Sequence, residues 1–226
     1  MTAREKLIVA LDHPAGMEAL AQVDELGDMV VRYKVGLELF LAEGKALVLE
    51  LQRRQKQIFL DLKLHDIPET VKRAAQLAGQ LGVDLITVHA AGGRAMLEAA
   101  VAGAGRTRVL AVTVLTSLDD KDLAADGITD GAEAAVLRRA RLAAAAGCAG
   151  VIASPHETAA VRAILRAPFL IVTPGVRLFA GGDDQKRVAT PRLAVSAGAD
   201  AIVVGRPIRD ARDRRAAAEA IVRELA

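Results

Sequence analysis

The sequence predicts one α/β domain spanning residues 1–226, a closed (β/α)8 barrel of the TIM class. Eight short, nearly continuous apolar runs recur along the chain, the pattern of strands buried on both faces of a parallel sheet. Amphipathic segments with helical spacing separate them. Eight units in 226 residues leave about 28 residues each, which suits a closed barrel better than an open doubly wound sheet. The first strand-to-helix turn, ALDHPAGMEAL, also lacks G-x-G-x-x-G, which argues against a dinucleotide-binding sheet.

The expected strands, in order, are KLIVALD (6–12), VVRYKVG (30–36), QIFLDLK (57–63), LITVHA (85–90), RVLAVTVL (108–115), GVIAS (150–154), FLIVTPG (169–175) and AIVVGR (201–206). Between the third and fourth, PETVKRAAQLAGQLG reads as a helix. Val71, Ala74, Ala75, Ala78 and Leu81 share one stripe, with Lys72, Arg73 and Gln80 away from it. Pro68 suits its first turn and Gly82 its C-terminal cap. A loose repeat supports stacked α/β units: LGVDLITVHA, AGCAGVIASP and AGADAIVVGR each pass from a helix-ending Gly into a strand. The insert TSLDDKDLAADGITDG after strand 5 is long enough for a short extra helix.

Composition narrows the function classes. Apolar residues make up 52% and aromatics 2%, so the core is built from Ala, Val, Leu and Ile, and disorder is excluded. The net charge of +2 and the scattered basic runs, RRAR and RDARDRR, read as solvated helix faces and predict no nucleic-acid partner. The longest uncharged run, LAAAAGCAGVIAS, is too short to span a bilayer, so no membrane partner is expected. A lone cysteine, Cys148, allows no internal disulfide, and the opening MTAREKLIVALD shows no signal-peptide pattern; both point to the cytoplasm.

In such a barrel, polar residues at the carboxyl ends of strands mark the active face. They are Asp12 (strand 1), Lys34 (strand 2), Asp61 and Lys63 with Asp66 beyond (strand 3), His89 (strand 4), Thr116 and Ser117 (strand 5), Gly175 and Arg177 (strand 7), and Gly205 and Arg206 (strand 8). Asp61 and Lys63, two apart, face the same side, so Lys34, Asp61, Lys63 and Asp66 can alternate in charge. Flanking carboxylates keep an ammonium charged, which suits a proton donor rather than a Schiff-base nucleophile. A purely structural ion-pair network is the competing reading, disfavoured because such a tetrad stabilises less than apolar packing would. TPGVR and VGRPI each place Gly and Arg beyond a strand, where barrels of this kind bind phosphate. RLFAGGDDQ is a lid or a plain surface loop. His13, His65 and His156 lack partners at ligand spacing, so no metal is expected. Asp119, Asp120 and Asp122 read as solvated.

These motifs, in this order, resemble bacterial orotidine 5'-phosphate decarboxylases over essentially the whole chain. DLKLHDIPET looks like that family's D-x-K-x-x-D signature, and ALD, YKVGLELF, TVLTS, TPGVR and VGRPI match its other motifs. The signature alone is shared with Mg²⁺-dependent sugar-phosphate lyases of the same superfamily, which typically carry Glu on strand 2 where this chain has Lys34. The resemblance implies a cofactor-free conversion of orotidine 5'-monophosphate to uridine 5'-monophosphate and CO₂ in pyrimidine biosynthesis. It implies that Lys63 protonates C6, that Asp61 and Asp66 flank it, and that Lys34 orients Asp61. It places Asp12 and Lys34 on the ribose, Thr116 or, as the second choice, Ser117 on the pyrimidine, and Arg177, Gln185, Gly205 and Arg206 on the phosphate. It also implies a homodimer in which Asp66 and Thr70 reach the partner's site. Three positions depart from the family: Leu64, Glu69 and Leu178 stand where Phe, Asn and Pro are common, and the stretch from Arg177 to Gln185 is one residue short. A non-catalytic phosphosugar- or nucleotide-binding barrel would keep the arginines but have no use for Lys63 and Asp66.

Overall fold

The computed structural model describes residues 1–177 and 189–226. Eight parallel strands close in sequence order: β1 (Leu7–Ala10), β2 (Arg32–Gly36), β3 (Gln57–Leu64), β4 (Leu85–His89), β5 (Arg108–Val112), β6 (Gly150–Ile152), β7 (Leu170–Thr173) and β8 (Ala201–Val204), with β8 pairing back to β1. Around them lie α1 (Ala3–Lys6), α2 (Gly16–Leu26), α3 (Leu37–Arg53), α4 (Pro68–Leu81), α5 (Gly93–Gly103), α6 (Asp120–Ala125), α7 (Gly131–Ala145), α8 (Pro155–Ile164), α9 (Pro191–Ser196), α10 (Arg206–Arg209) and α11 (Arg214–Glu224). The short α6 is the extra helix expected after strand 5. Among the described residues no helix is long and apolar enough to cross a membrane.

Strand alternation divides the core in two. Inward residues, including Ile8, Phe59, Leu85, Leu110, Val172 and Val203, fill the barrel. The opposite parity, with Leu7, Val9, Tyr33, Val35, Ile86 and Val88 among it, packs against the helices, as does the buried Cys148, whose thiol burial pushes up to about 12. Several strands stop before their apolar runs do. The run RVLAVTVL leaves the ladder after Val112. Thr113 still bonds to the Ile152 carbonyl through both its N–H and its hydroxyl, and the chain then turns along the barrel mouth. An apolar run therefore overstates strand length where its last residues line a site.

The loose repeat has a backbone cause. Gly82, Gly147 and Gly198, which end their helices, have φ of +75°, +81° and +107°, the left-handed conformation that favours glycine. Asp84 and Asp200 then accept from the N–H groups of Ile58 and Ile171, each at 2.7 Å, tying the start of one strand to the next. α4 and α5 pack at very short range. A Cβ on Gly79 would stand 2.5 Å from the Ala104 carbonyl oxygen, and one on Gly103 would stand 2.3 Å from that of Lys72. This contact braces the helix that follows the DLKLHDIPET turn. Asp119, Asp120 and Asp122 are not merely solvated. Asp119 and Asp122 form a capping box at α6, and Asp120 accepts from the Ala132 N–H at the start of α7.

Candidate active site

The carboxyl ends of β1, β2 and β3 bring four charges into one line. Lys34 Nζ lies 2.9 Å from Asp12 Oδ1 and 3.7 Å from Asp61 Oδ2, and Lys63 Nζ lies 2.7 Å from the same Asp61 oxygen. Register explains this. Ala10 pairs with Lys34 and Gly36 with Asp61, so the inward side chains of three neighbouring strands converge. Burial pushes the Asp61 carboxyl upward. The Lys34 and Lys63 ammoniums, with hydrogen bonds from Lys63 and Thr87, outweigh it and hold Asp61 below the usual carboxylate range.

The contiguous array in one chain is Asp12–Lys34–Asp61–Lys63. Asp66 stands apart from it. Its carboxylate accepts from the Ile67 N–H at 2.6 Å, it is exposed, and it makes no ion pair with a described residue. Thr70, in the first turn of α4, is exposed as well. Asp61 and Lys63 do share a side, but not by regular strand geometry. Lys63 has φ of +50°, and the pairing of β3 with β4 shifts between Leu60 and Leu64.

Two adjoining cavities open at this mouth. One, of about 170 Å³, is walled by Phe59, Val112, Val114 and Ile152, with Asp61, Lys63 and Thr116 as polar members. Ser117, by contrast, is exposed. The other, of about 380 Å³, is lined by Asp12, Gly175, Arg177, Gly205, Arg206 and Arg209. Lys34, Pro174 and Val203 line both, so the two form one trough with an apolar end and a cationic end. A Cβ on Gly205 would approach Asp12 Oδ2 to 3.1 Å, so a small residue there leaves the β1 carboxylate its place. Beyond Arg177, the segment read as a lid or surface loop, Gln185 included, lies outside the described residues.

Two residues on this face escape a sequence reading. Thr87, inward on β4, donates to Asp61 Oδ1 at 2.8 Å and accepts from the Lys63 N–H at 2.9 Å. Inside a strand-like run, only its polarity among apolar neighbours could have drawn attention. Arg209 belongs to RDARDRR, expected to be a solvated face. Instead it pairs with Asp210, donates to the Asp12 carbonyl at 3.0 Å and lines the cationic cavity. His89 is half-buried, its ring 5.5 Å from that of His65, and it lies outside the lining of either cavity. Burial, followed by His65 and Lys63, lowers its pKa. Among the described residues no three His, Cys, Asp or Glu side chains converge as a metal-ligand set.

Known proteins share this sequence pattern and this fold. Residues 5–221 match the family described as "Orotidine 5'-phosphate decarboxylase / HUMPS family". The orotidine 5'-phosphate decarboxylase of Anaeromyxobacter sp. strain K is 55% identical over the full length of both chains. That of Halorhodospira halophila is 50% identical, covering 98% of this chain and 96% of its own. Among solved structures, the crystal structure of orotidine 5'-phosphate decarboxylase from Lactobacillus acidophilus superposes with a TM-score of 0.87. It is 40% identical and covers 97% of this chain and 98% of that one. With the barrel, the charged array and full-length identity pointing the same way, the chain belongs to the orotidine 5'-phosphate decarboxylase / HUMPS family.

Proposed function

We propose that this chain converts orotidine 5'-monophosphate to uridine 5'-monophosphate and CO₂, with Lys63 as proton donor and without metal or organic cofactor. The observation that carries the reading is the trough. An ammonium pinned by a buried carboxylate stands at its small apolar end, and arginines line the other end. A flat pyrimidine fits the first end, a phosphate the second. Lys34, at the junction, and Asp12, paired with it on the cationic side, are placed for ribose hydroxyls.

In the reaction the C6–carboxylate bond breaks and its electron pair stays on C6 as CO₂ leaves. C6 has no conjugated sink for that pair. A fixed positive charge beside it lowers the barrier most, because the low-dielectric site strengthens the interaction without reorganisation. Lys63 supplies the charge and then its proton to C6, becoming a neutral amine that solvent reprotonates. Asp61, held ionised by Lys34 and Thr87, aims the ammonium. Thr116 meets the pyrimidine, and Arg177, Arg206, Gly205 and Gln185 hold the phosphate. That contact, remote from C6, aids the chemistry through orientation.

The functional unit is a homodimer with shared sites, in which Asp66 and Thr70 act on the partner's substrate. Two observations support this: Asp66 and Thr70 point to solvent, and Ile67 beside them leaves an apolar side chain 67% exposed. The reading as a whole is tested by the absorbance change on adding orotidine 5'-monophosphate to chelator-treated protein. Full turnover is expected. Activity restored only by added Mg²⁺ would favour a metal-dependent sugar-phosphate lyase, and binding without turnover a non-catalytic barrel.

A further inference from the structure

We propose that Thr87 is a positioning residue for the decarboxylation, its hydroxyl joining the Lys63 backbone to the Asp61 carboxylate across an irregular stretch of β3. Pairing runs from Leu60 with Ile86 to Leu64 with Val88, so β3 advances four residues while β4 advances two. Asp61, Leu62 and Lys63 lie in that surplus, and Thr87 is the single β4 residue opposite it. Lys63 bends into the left-handed region, φ +50°, sparsely populated for a residue with a Cβ. Its N–H is turned away from a backbone ladder bond and instead donates to Thr87 Oγ1 at 2.9 Å. The same oxygen donates its proton to Asp61 Oδ1 at 2.8 Å, while Oδ2 faces both lysines. Thr87 is fully buried, so no water replaces these bonds at small cost.

One hydroxyl thus fixes two features of the site: the turn from which the Lys63 side chain leaves the strand, and the rotation of the carboxylate that receives its ammonium. Valine matches threonine in shape but would leave the Lys63 N–H and Asp61 Oδ1 without their partner. The lysine would then shift relative to C6, and misplacement by about 1 Å lowers rates by about 100-fold. The Asp61 carboxyl is faced by Lys34 from β2, Lys63 from β3 and Thr87 from β4, with His89 of β4 and His65 near the lysine. Loss of the Thr87 bond removes one of the groups that lower Asp61.

The inference rests on the proposed decarboxylase reaction. Its test compares wild type, Thr87→Val and Thr87→Ser as full chains with orotidine 5'-monophosphate, measuring kcat, KM, the acid limb of kcat/KM and affinity for uridine 5'-monophosphate. In Thr87→Val, kcat should fall by about 10- to 100-fold, affinity for the product should stay within about threefold, and the acid limb should move to higher pH. Thr87→Ser should restore all three. If Val at this position prevents folding, Thr87→Ala carries the same comparison. Wild-type kcat with an unmoved acid limb in the hydroxyl-free variant, or a Ser variant as slow as it, overturns the inference and leaves the decarboxylase reading intact. A wild-type chain without turnover overturns both.

Discussion

Replacing Lys63 by Ala isolates the step on which the proposed chemistry depends. The substitution removes the ammonium 2.7 Å from Asp61. A unit charge about 4 Å from the charge developing at C6 is worth about 4 kcal/mol at an effective dielectric near 20, or about a thousandfold in rate. A positioned proton donor adds about 10²- to 10⁴-fold. Together they predict a kcat loss of about 10⁵- to 10⁷-fold. The fold should tolerate the change. The Lys63 side chain is 39% exposed, and Asp61 keeps Lys34 at 3.7 Å and the Thr87 hydroxyl at 2.8 Å. The stability change should therefore stay near that of a partly solvated pair, about 1 kcal/mol or less. Single-turnover absorbance measures the chemistry, and calorimetric titration with uridine 5'-monophosphate, which lacks the carboxylate, reports whether the trough is still assembled. Turnover within tenfold of wild type would refute the assignment of Lys63. Loss of product binding in parallel with turnover would show that the lysine builds the site rather than acts in it.

Four further outcomes follow from the geometry. Arg206→Ala should mainly weaken binding of uridine 5'-monophosphate, by about 1–3 kcal/mol for one charge-assisted partner, seen as a raised Kd with less change in kcat. Mixing inactive Lys63→Ala and Asp66→Ala chains should restore activity if sites are shared, because one site of each mixed dimer carries neither lesion; mixed dimers that form yet stay inactive would refute sharing alone. Gly103→Ala should destabilise the chain by about 1–3 kcal/mol in urea titration, since its Cβ would meet the Lys72 carbonyl oxygen at 2.3 Å. Asp61, whose folded pKa is lowered from 3.8, stabilises the fold fully above that value and progressively less as pH falls through the lowered one. The stability gap between wild type and Asp61→Asn should therefore shrink in urea titrations below about pH 4, and a gap independent of pH would contradict the shift.

Much of this protein is written locally. The eight apolar runs lie on the eight strands because a parallel strand buried on both faces needs an unbroken run of Val, Ile and Leu, a demand met by neighbours in sequence. The cap at Gly82 and the helix start at Pro68 are equally local, set by φ preference and a missing N–H. The site's charges were legible for a related reason. Asp12, Lys34, Asp61 and Lys63 interrupt or end apolar runs, where unpaired charge is costly and so signals chemistry.

What needed the barrel is how those charges meet. Lys34 touches Asp12 because β1 and β2 pair in a particular register, and no spacing along the chain encodes a distance across strands. Asp66, three residues from Lys63, lies outside its own chain's array because the turn rotates it toward solvent. Arg209 looked like one charge among several on a helix face until closure of β8 against β1 set it beside the Asp12 carbonyl. Thr87 is the sharpest case. A threonine inside LITVHA is ordinary by composition, and its hydroxyl acquires meaning only opposite the surplus residues of β3, where two hydrogen bonds that the backbone cannot make converge on it. Burial and helical pattern depend on neighbours along the chain. Register, strand closure and the partner of a buried hydroxyl depend on residues tens of positions away, and only the closed sheet brings them together.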